Sequence, residues 1–139
     1  MDYLRDPAAI YARSFATIRS EADLLALPAG AQDIAIRIIH ACGMAEIAPD
    51  LRITDDFAAA AGAALSAGRP ILADCAMVRH GIVGASAPVI STLNDPAARE
   101  RGLALGTTRS AAAVELWRPH LEGAVVVIGN APTALFALL

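Results

Sequence analysis

The sequence predicts an α/β fold, a three-layer α/β/α arrangement around a mainly parallel sheet, and three observations predict it. Three short continuous apolar runs, ILADC at 71–75, PVISTL at 88–93 and AVVVI at 124–128, read as strands buried on both faces. Segments with helical spacing and caps of their own separate these runs, which is the alternation of a parallel or mixed sheet covered by helices. No repeat, low-complexity tract or linker divides the 139 residues, a length suited to one domain and one core.

The elements follow in order. Asp6 with Pro7 is an N-cap followed by proline at the first helical position. From there Tyr11, Phe15, Ile18, Ala22 and Leu25 repeat at helical spacing up to Leu27, where Pro28 and Gly30 break the pattern. Residues 34–43, IAIRIIHACG, form a second helix with Ala35, Ile38, Ile39 and Cys42 as its buried stripe and Gly43 as its left-handed stop. Thr54 caps a third helix over 55–67, rich in alanine and closed by Gly68 and Pro70. Asp95 and Pro96 repeat the cap device before a polar helix that Gly106 ends. Residues 107–110, TTRS, open a further helix stopped by Pro119, and a last helix covers 134–139. The chain ends inside that apolar helix, which suggests cover by another subunit or a longer natural protein.

Composition narrows the function. A net charge of −3 argues against a general nucleic-acid binder. With 56% hydrophobic residues and a mean hydropathy of +0.51, the chain suggests extensive buried surface, including a subunit interface. All 11 basic residues are Arg; this fits gripping carboxylates with planar forks, or a compositional bias like that in alanine. Cys42 and Cys75 have neither zinc nor disulfide spacing. The start lacks the apolar core of a signal peptide, and the longest uncharged run, 123–139, is too short for a membrane span. A cytoplasmic protein without membrane contact is expected.

Candidate chemistry sits at two kinds of place. The second helix carries His40 off its predicted stripe, on the side of Asp33, Ile36 and Arg37, at the border of the core. Ser14 lies between Ile10 and Ile18 on the first helix, where a hydroxyl bonds the carbonyl one turn back or serves a ligand. Strand ends followed by helix N-termini offer free N–H groups to anions, at 107–110 and 129–133. The first of these adds Thr107, Arg109 and Ser110, a set suited to carboxylate or phosphate. No phosphate loop, dinucleotide fingerprint, nucleophile elbow or zinc-protease motif is present, and no carboxylate pair beside His40 suggests a metal.

RDPxAIYxRSF at 5–15, IIHACG at 38–43, APDLR at 48–52, GRPILAD at 68–74, GTTRSAAA at 106–113 and VVIGNAPTALF at 126–136 together resemble the precorrin-8X methylmutase family of cobalamin biosynthesis. The resemblance runs from end to end, in order and with matching spacing, and covers the larger N-terminal part of that family. It implies a single methylmutase-like domain, 1–139, without the family's C-terminal segment. It further implies an α/β/α homodimer that binds a tetrapyrrole, precorrin-8X or its cobalt form, without an organic cofactor. The reaction implied is the shift of a methyl group between neighbouring ring carbons to give hydrogenobyrinic acid. By the same resemblance His40 is the catalytic acid–base group, and Ser14 and Arg109 contact substrate. Arg13, Thr107, Asn130 and Thr133 stand in matching blocks as further substrate-binding candidates. The segment 79–86 departs from the family, and His80 within it reads as a surface residue.

Two other readings compete. A truncated, non-catalytic chain would bind tetrapyrrole without turning it over. A cysteine hydrolase would use Cys75 at a strand end with His80 or Asp74, although no third orienting residue is identifiable.

Overall fold

The computed structural model describes residues 3–139, which divide into two compact units, one ending at Ala60 and one spanning Ala61–Leu139, each with its own core. The fold is α/β, as expected, with seven helices among the described residues and a small all-parallel sheet.

In the first unit α1 spans Pro7–Glu21. Asp6 caps it, its carboxylate accepting from the Ala9 amide at 2.8 Å, and Pro7 occupies the first turn. The helix ends six residues before the expected Leu27. Ala22 turns extended, and the Asp23 side chain accepts from the Leu25 amide at 3.3 Å, a local turn that competes with the helix. The turn folds Leu24 and Leu27 into the core and leaves Leu25 92% exposed. A short 3₁₀ turn at Ala29–Ala31 leads into α2, Gln32–Cys42, which Gly43 stops at φ 72°. The buried face of α2 is not the predicted stripe. Ala35, Ile36 and Ile39 are buried, whereas Ile38 is 38% exposed and Cys42 lies at the surface. The buried face is turned from the Ile38 flank of the Ala35–Ile39 line to its Ile36 flank, because α1 and the Leu24–Leu27 turn pack on the Ile36 side. His40, four residues after Ile36, therefore borders the core with its ring half-buried.

A 3₁₀ segment, Ala45–Asp50, closes that core with Ala48. The unit boundary falls within α3, Phe57–Ser66, which starts two residues later than expected. Thr54 does not cap it through its side chain; its hydroxyl bonds the Asp56 carboxylate at 2.7 Å.

In the second unit β1, Ile71–Ala73, is the central strand, flanked in parallel by β2, Val89–Ile90, and β3, Val125–Val127. Leu72 lies opposite Ile90 on one side and Val126 on the other. The strands are shorter than the apolar runs, and only β1 is buried throughout. Between β1 and β2 lies α4, Ala76–Gly81. Two helices, α5 (Pro96–Leu105) and α6 (Arg109–Glu115), precede the 3₁₀ turn Arg118–His120 and β3. The last helix, α7, is Pro132–Leu138. Leu72, Val114, Trp117 and Ala134 centre the core. A Cβ at buried Gly102 would lie 3.3 Å from the Thr107 carbonyl, so glycine lets α5 meet the start of α6. No helix among the described residues is long and apolar enough to cross a membrane.

Candidate active site

In the first unit the helical repeat of α1 puts Ile10, Arg13, Ser14, Thr17, Ile18 and Glu21 on one face. That face, with Ile39 and His40 of α2, lines a cavity of about 690 Å³. This volume falls within the range of small-molecule sites, about 300–1,000 Å³. Walls of isoleucine alternate with hydroxyls, and the charged groups Arg13 and Glu21 stand two turns apart along the helix.

Ser14 and His40 meet there. The serine Oγ lies 2.8 Å from His40 Nδ1, a hydrogen bond between residues 26 positions apart. The Ser14 hydroxyl therefore reaches across to α2, and the return to its own helix is not the bond seen. With Nδ1 engaged, Nε2 is the ring atom left for exchange with a ligand. Tyr11 lies against the imidazole with centroids 5.0 Å apart and planes tilted by 35°; Phe15 meets it edge-on at 5.4 Å and 78°. These aromatic contacts were missed in the sequence, although the spacing of Tyr11, Ser14 and Phe15 (i, i+3, i+4) carries their signal.

The other candidates belong to the second unit. Thr108 caps α6 with its hydroxyl, accepting from the Ala111 amide at 3.1 Å, and donates to Thr133 Oγ1 at 2.8 Å. Thr107 borders a second cavity of about 440 Å³ with Glu115, Arg118 and Leu138. Arg109 is exposed and makes no salt bridge among the described residues.

The N–H groups expected to be free after β3 are partly occupied. Asp74, which follows β1 and is 2% exposed, accepts through Oδ2 from the Asn130 amide at 3.1 Å and the Ala131 amide at 3.2 Å. In the sheet order β2-β1-β3 the chain passes from β1 to β2 at one edge and then crosses to β3 at the other, so the carboxyl ends of β1 and β3 border the crevice where such sheets hold ligands. Here a carboxylate of the chain itself takes two of the amides. Burial disfavours the Asp74 anion, but the hydrogen bonds from the Asn130 and Ala131 amides, with the Gly129 amide and the Cys75 side chain close by, outweigh it and hold the carboxyl below its ordinary value. A Cβ on Gly129 would collide with the Val78 side chain, so glycine lets this loop approach Asp74 and α4. Oδ1 of Asp74 is buried without a hydrogen-bond partner.

Among the described residues no imidazole hydrogen-bonds Cys75. His80 turns its Nδ1 to the Ala76 carbonyl at 2.6 Å and lies exposed, which removes the partner a cysteine hydrolase needs.

Comparison with known proteins accords with this arrangement. The family described as precorrin-8X methylmutase matches residues 9–139. The chain is 53% identical over 143 residues to a precorrin-8X methylmutase of Pseudomonas aeruginosa, covering 100% of this chain and 69% of that protein. It is 51% identical over 142 residues to one of a Sinorhizobium species, covering 99% of this chain and 68% of that protein. Among solved structures, the Thermus thermophilus precorrin-8X methyl mutase superposes with a TM-score of 0.82 at 32% identity, over 94% of this chain and 66% of that one. The chain thus spans about two thirds of the length of these proteins. Sequence identity and shared fold extend over nearly every described element, and the chain belongs to the precorrin-8X methylmutase family of isomerases.

Proposed function

We propose that this chain moves a methyl group between neighbouring ring carbons of precorrin-8X, or of its cobalt form, to give hydrogenobyrinic acid or the cobalt counterpart. The observation that carries the reading is the His40 ring, tied to Ser14 at 2.8 Å and lining the cavity of about 690 Å³. Such a rearrangement needs no nucleophile and no redox group. It needs the macrocycle held in a reactive shape and a proton lent to a ring nitrogen and afterwards recovered. Ser14 fixes Nδ1, and Nε2 of His40 exchanges that proton with the substrate. The isoleucine walls exclude water and confine the flat ring. On this reading Arg13 meets a rim carboxylate, and Thr107, Arg109, Asn130 and Thr133 serve substrate binding as parts of one methylmutase-like domain, 1–139. The protein works as a cytoplasmic homodimer. Exposed apolar side chains such as Leu4, Leu103 and Phe136 support a subunit contact.

The test is His40→Ala. Turnover falls by about 10²–10⁴-fold, the usual worth of a positioned acid–base group. Binding of hydrogenobyrinic acid, followed by its visible spectrum, changes little. A variant that isomerises at the wild-type rate removes His40 from the mechanism. Wild-type chain that binds the product yet never turns over substrate makes it a binding module.

A further inference from the structure

We infer that Tyr11 and Phe15 are positioning residues for His40, holding the imidazole so that Nε2 points into the cavity; the inference rests on the acid–base role proposed above. The first ground is what the two rings touch. Both contact the imidazole, at 5.0 and 5.4 Å between centroids, yet neither lines the cavity. The α1 face that does so is offset from them by one residue, running through Ile10, Ser14 and Ile18. Neither ring forms the cavity wall itself, and their contact with His40 ties both of them to it.

The second ground is geometry. An imidazole on Cβ turns about one bond, and a half-turn exchanges Nδ1 with a carbon and loses the Ser14 hydrogen bond. Three contacts from one helix oppose that turn. Ser14 holds Nδ1 from one edge, Tyr11 covers a face at 35°, and Phe15 abuts the ring nearly at right angles, at 78°. The separations are those of favourable aromatic pairs. Tyr11 and Phe15 also brace each other, at 5.8 Å and 88°, and the Arg37 guanidinium sits 5.7 Å over the Phe15 ring. Tyr11 is 52% exposed, so it contributes little to the core, and its contact with His40 and Phe15 is what its ring does.

The experiment follows the ring nitrogens of His40 by ¹⁵N–¹H NMR on uniformly labelled full chain, with His40→Gln assigning the signals, alongside steady-state turnover. In the wild type one tautomer of His40 dominates. In Tyr11→Leu the two nitrogen signals move toward a common average, and kcat falls about tenfold or more while KM moves less than about threefold. Tyr11→Phe, which keeps the ring, restores both. Phe15 helps fill the core, so Phe15→Met, which preserves volume, is used there and gives the same pattern. The inference is overturned if Tyr11→Leu leaves the tautomer fixed, or averages it without lowering kcat. A wild-type chain without isomerase activity defeats the proposed reaction instead, and the NMR arm still decides whether the two rings orient His40.

Discussion

Asp74 shows how one side chain can settle a whole loop. Its carboxylate sits at the end of the central strand and draws in the amides of Asn130 and Ala131, more than fifty residues later in the chain. Hydrogen bonds to an ionised, buried group are among the stronger ones, each worth about 1.5–3 kcal/mol. Because they lower the folded-state titration below 3.8, the value of a free aspartate, this contribution is complete above that pH. It disappears as the pH falls through the lower, folded-state titration. Asp74→Asn should therefore cost about 2 kcal/mol near pH 7, with the difference from wild type shrinking on acidification below about pH 4. Trp117, the single tryptophan, is 1% exposed in the core of the same unit, and its fluorescence during urea unfolding reads the change. An equal deficit at pH 7 and at pH 3 would show that the amides do not depend on the charge.

At the scale of elements, helix ends decide where the chemistry points. The α5 helix begins at Asp95, whose carboxylate accepts from the Ala97 amide at 2.9 Å, and ends on Gly106 at φ 62°. That stop aims the chain into Thr107 and Thr108, so the α6 cap is positioned by the end of α5. Thr92 anchors the other side, its hydroxyl donating to the Ala113 carbonyl at 2.8 Å, and Arg101 pairs with Glu115 at 3.0 Å. The salt bridge is exposed at both ends and contributes little. Replacing Asp95 by Ala removes the cap and should lower stability by about 1 kcal/mol, whereas Asn or Ser keeps most of it. Thermal unfolding of the three variants checks the order.

Across the whole molecule, protection is distributed unevenly. β1 is paired on both sides, with the Ile71 amide donating to Pro88 and the Asp74 amide to Val127. In the other unit Ala35, Ile36 and Ile39 anchor a core to which Leu24 and Leu27 contribute. By contrast, α3 has no buried residue along its length. Hydrogen exchange followed by mass spectrometry should find the amides of β1 at least about a hundredfold more protected than those of α3, since local opening tracks buried contacts. Equal protection would mean that a second subunit covers the alanine-rich face of α3 in solution.

The sequence by itself determined the alternation of strands and helices, the Asp6 and Asp95 caps and the glycine stops at 43 and 106. Proline and glycine act through local backbone sterics and the aspartate caps through hydrogen bonds a few residues away, and such local effects survive any tertiary arrangement. It also placed Ser14 and His40 among the residues worth watching, through family resemblance as much as spacing. Only the tertiary structure decided that α1 ends at Glu21, because the competing turn at Asp23 sends Leu24 and Leu27 into the core. It likewise moved the buried face of α2 from Ile38 to Ile36, since a helix with isoleucine on both flanks of its Ala35–Ile39 line leaves the choice to its partner. The bond from Ser14 to His40 and the grip of Asp74 on the 129–131 loop span 26 and more than fifty residues. No local pattern encodes such pairings; they exist only once separate cores have brought distant segments within hydrogen-bond reach.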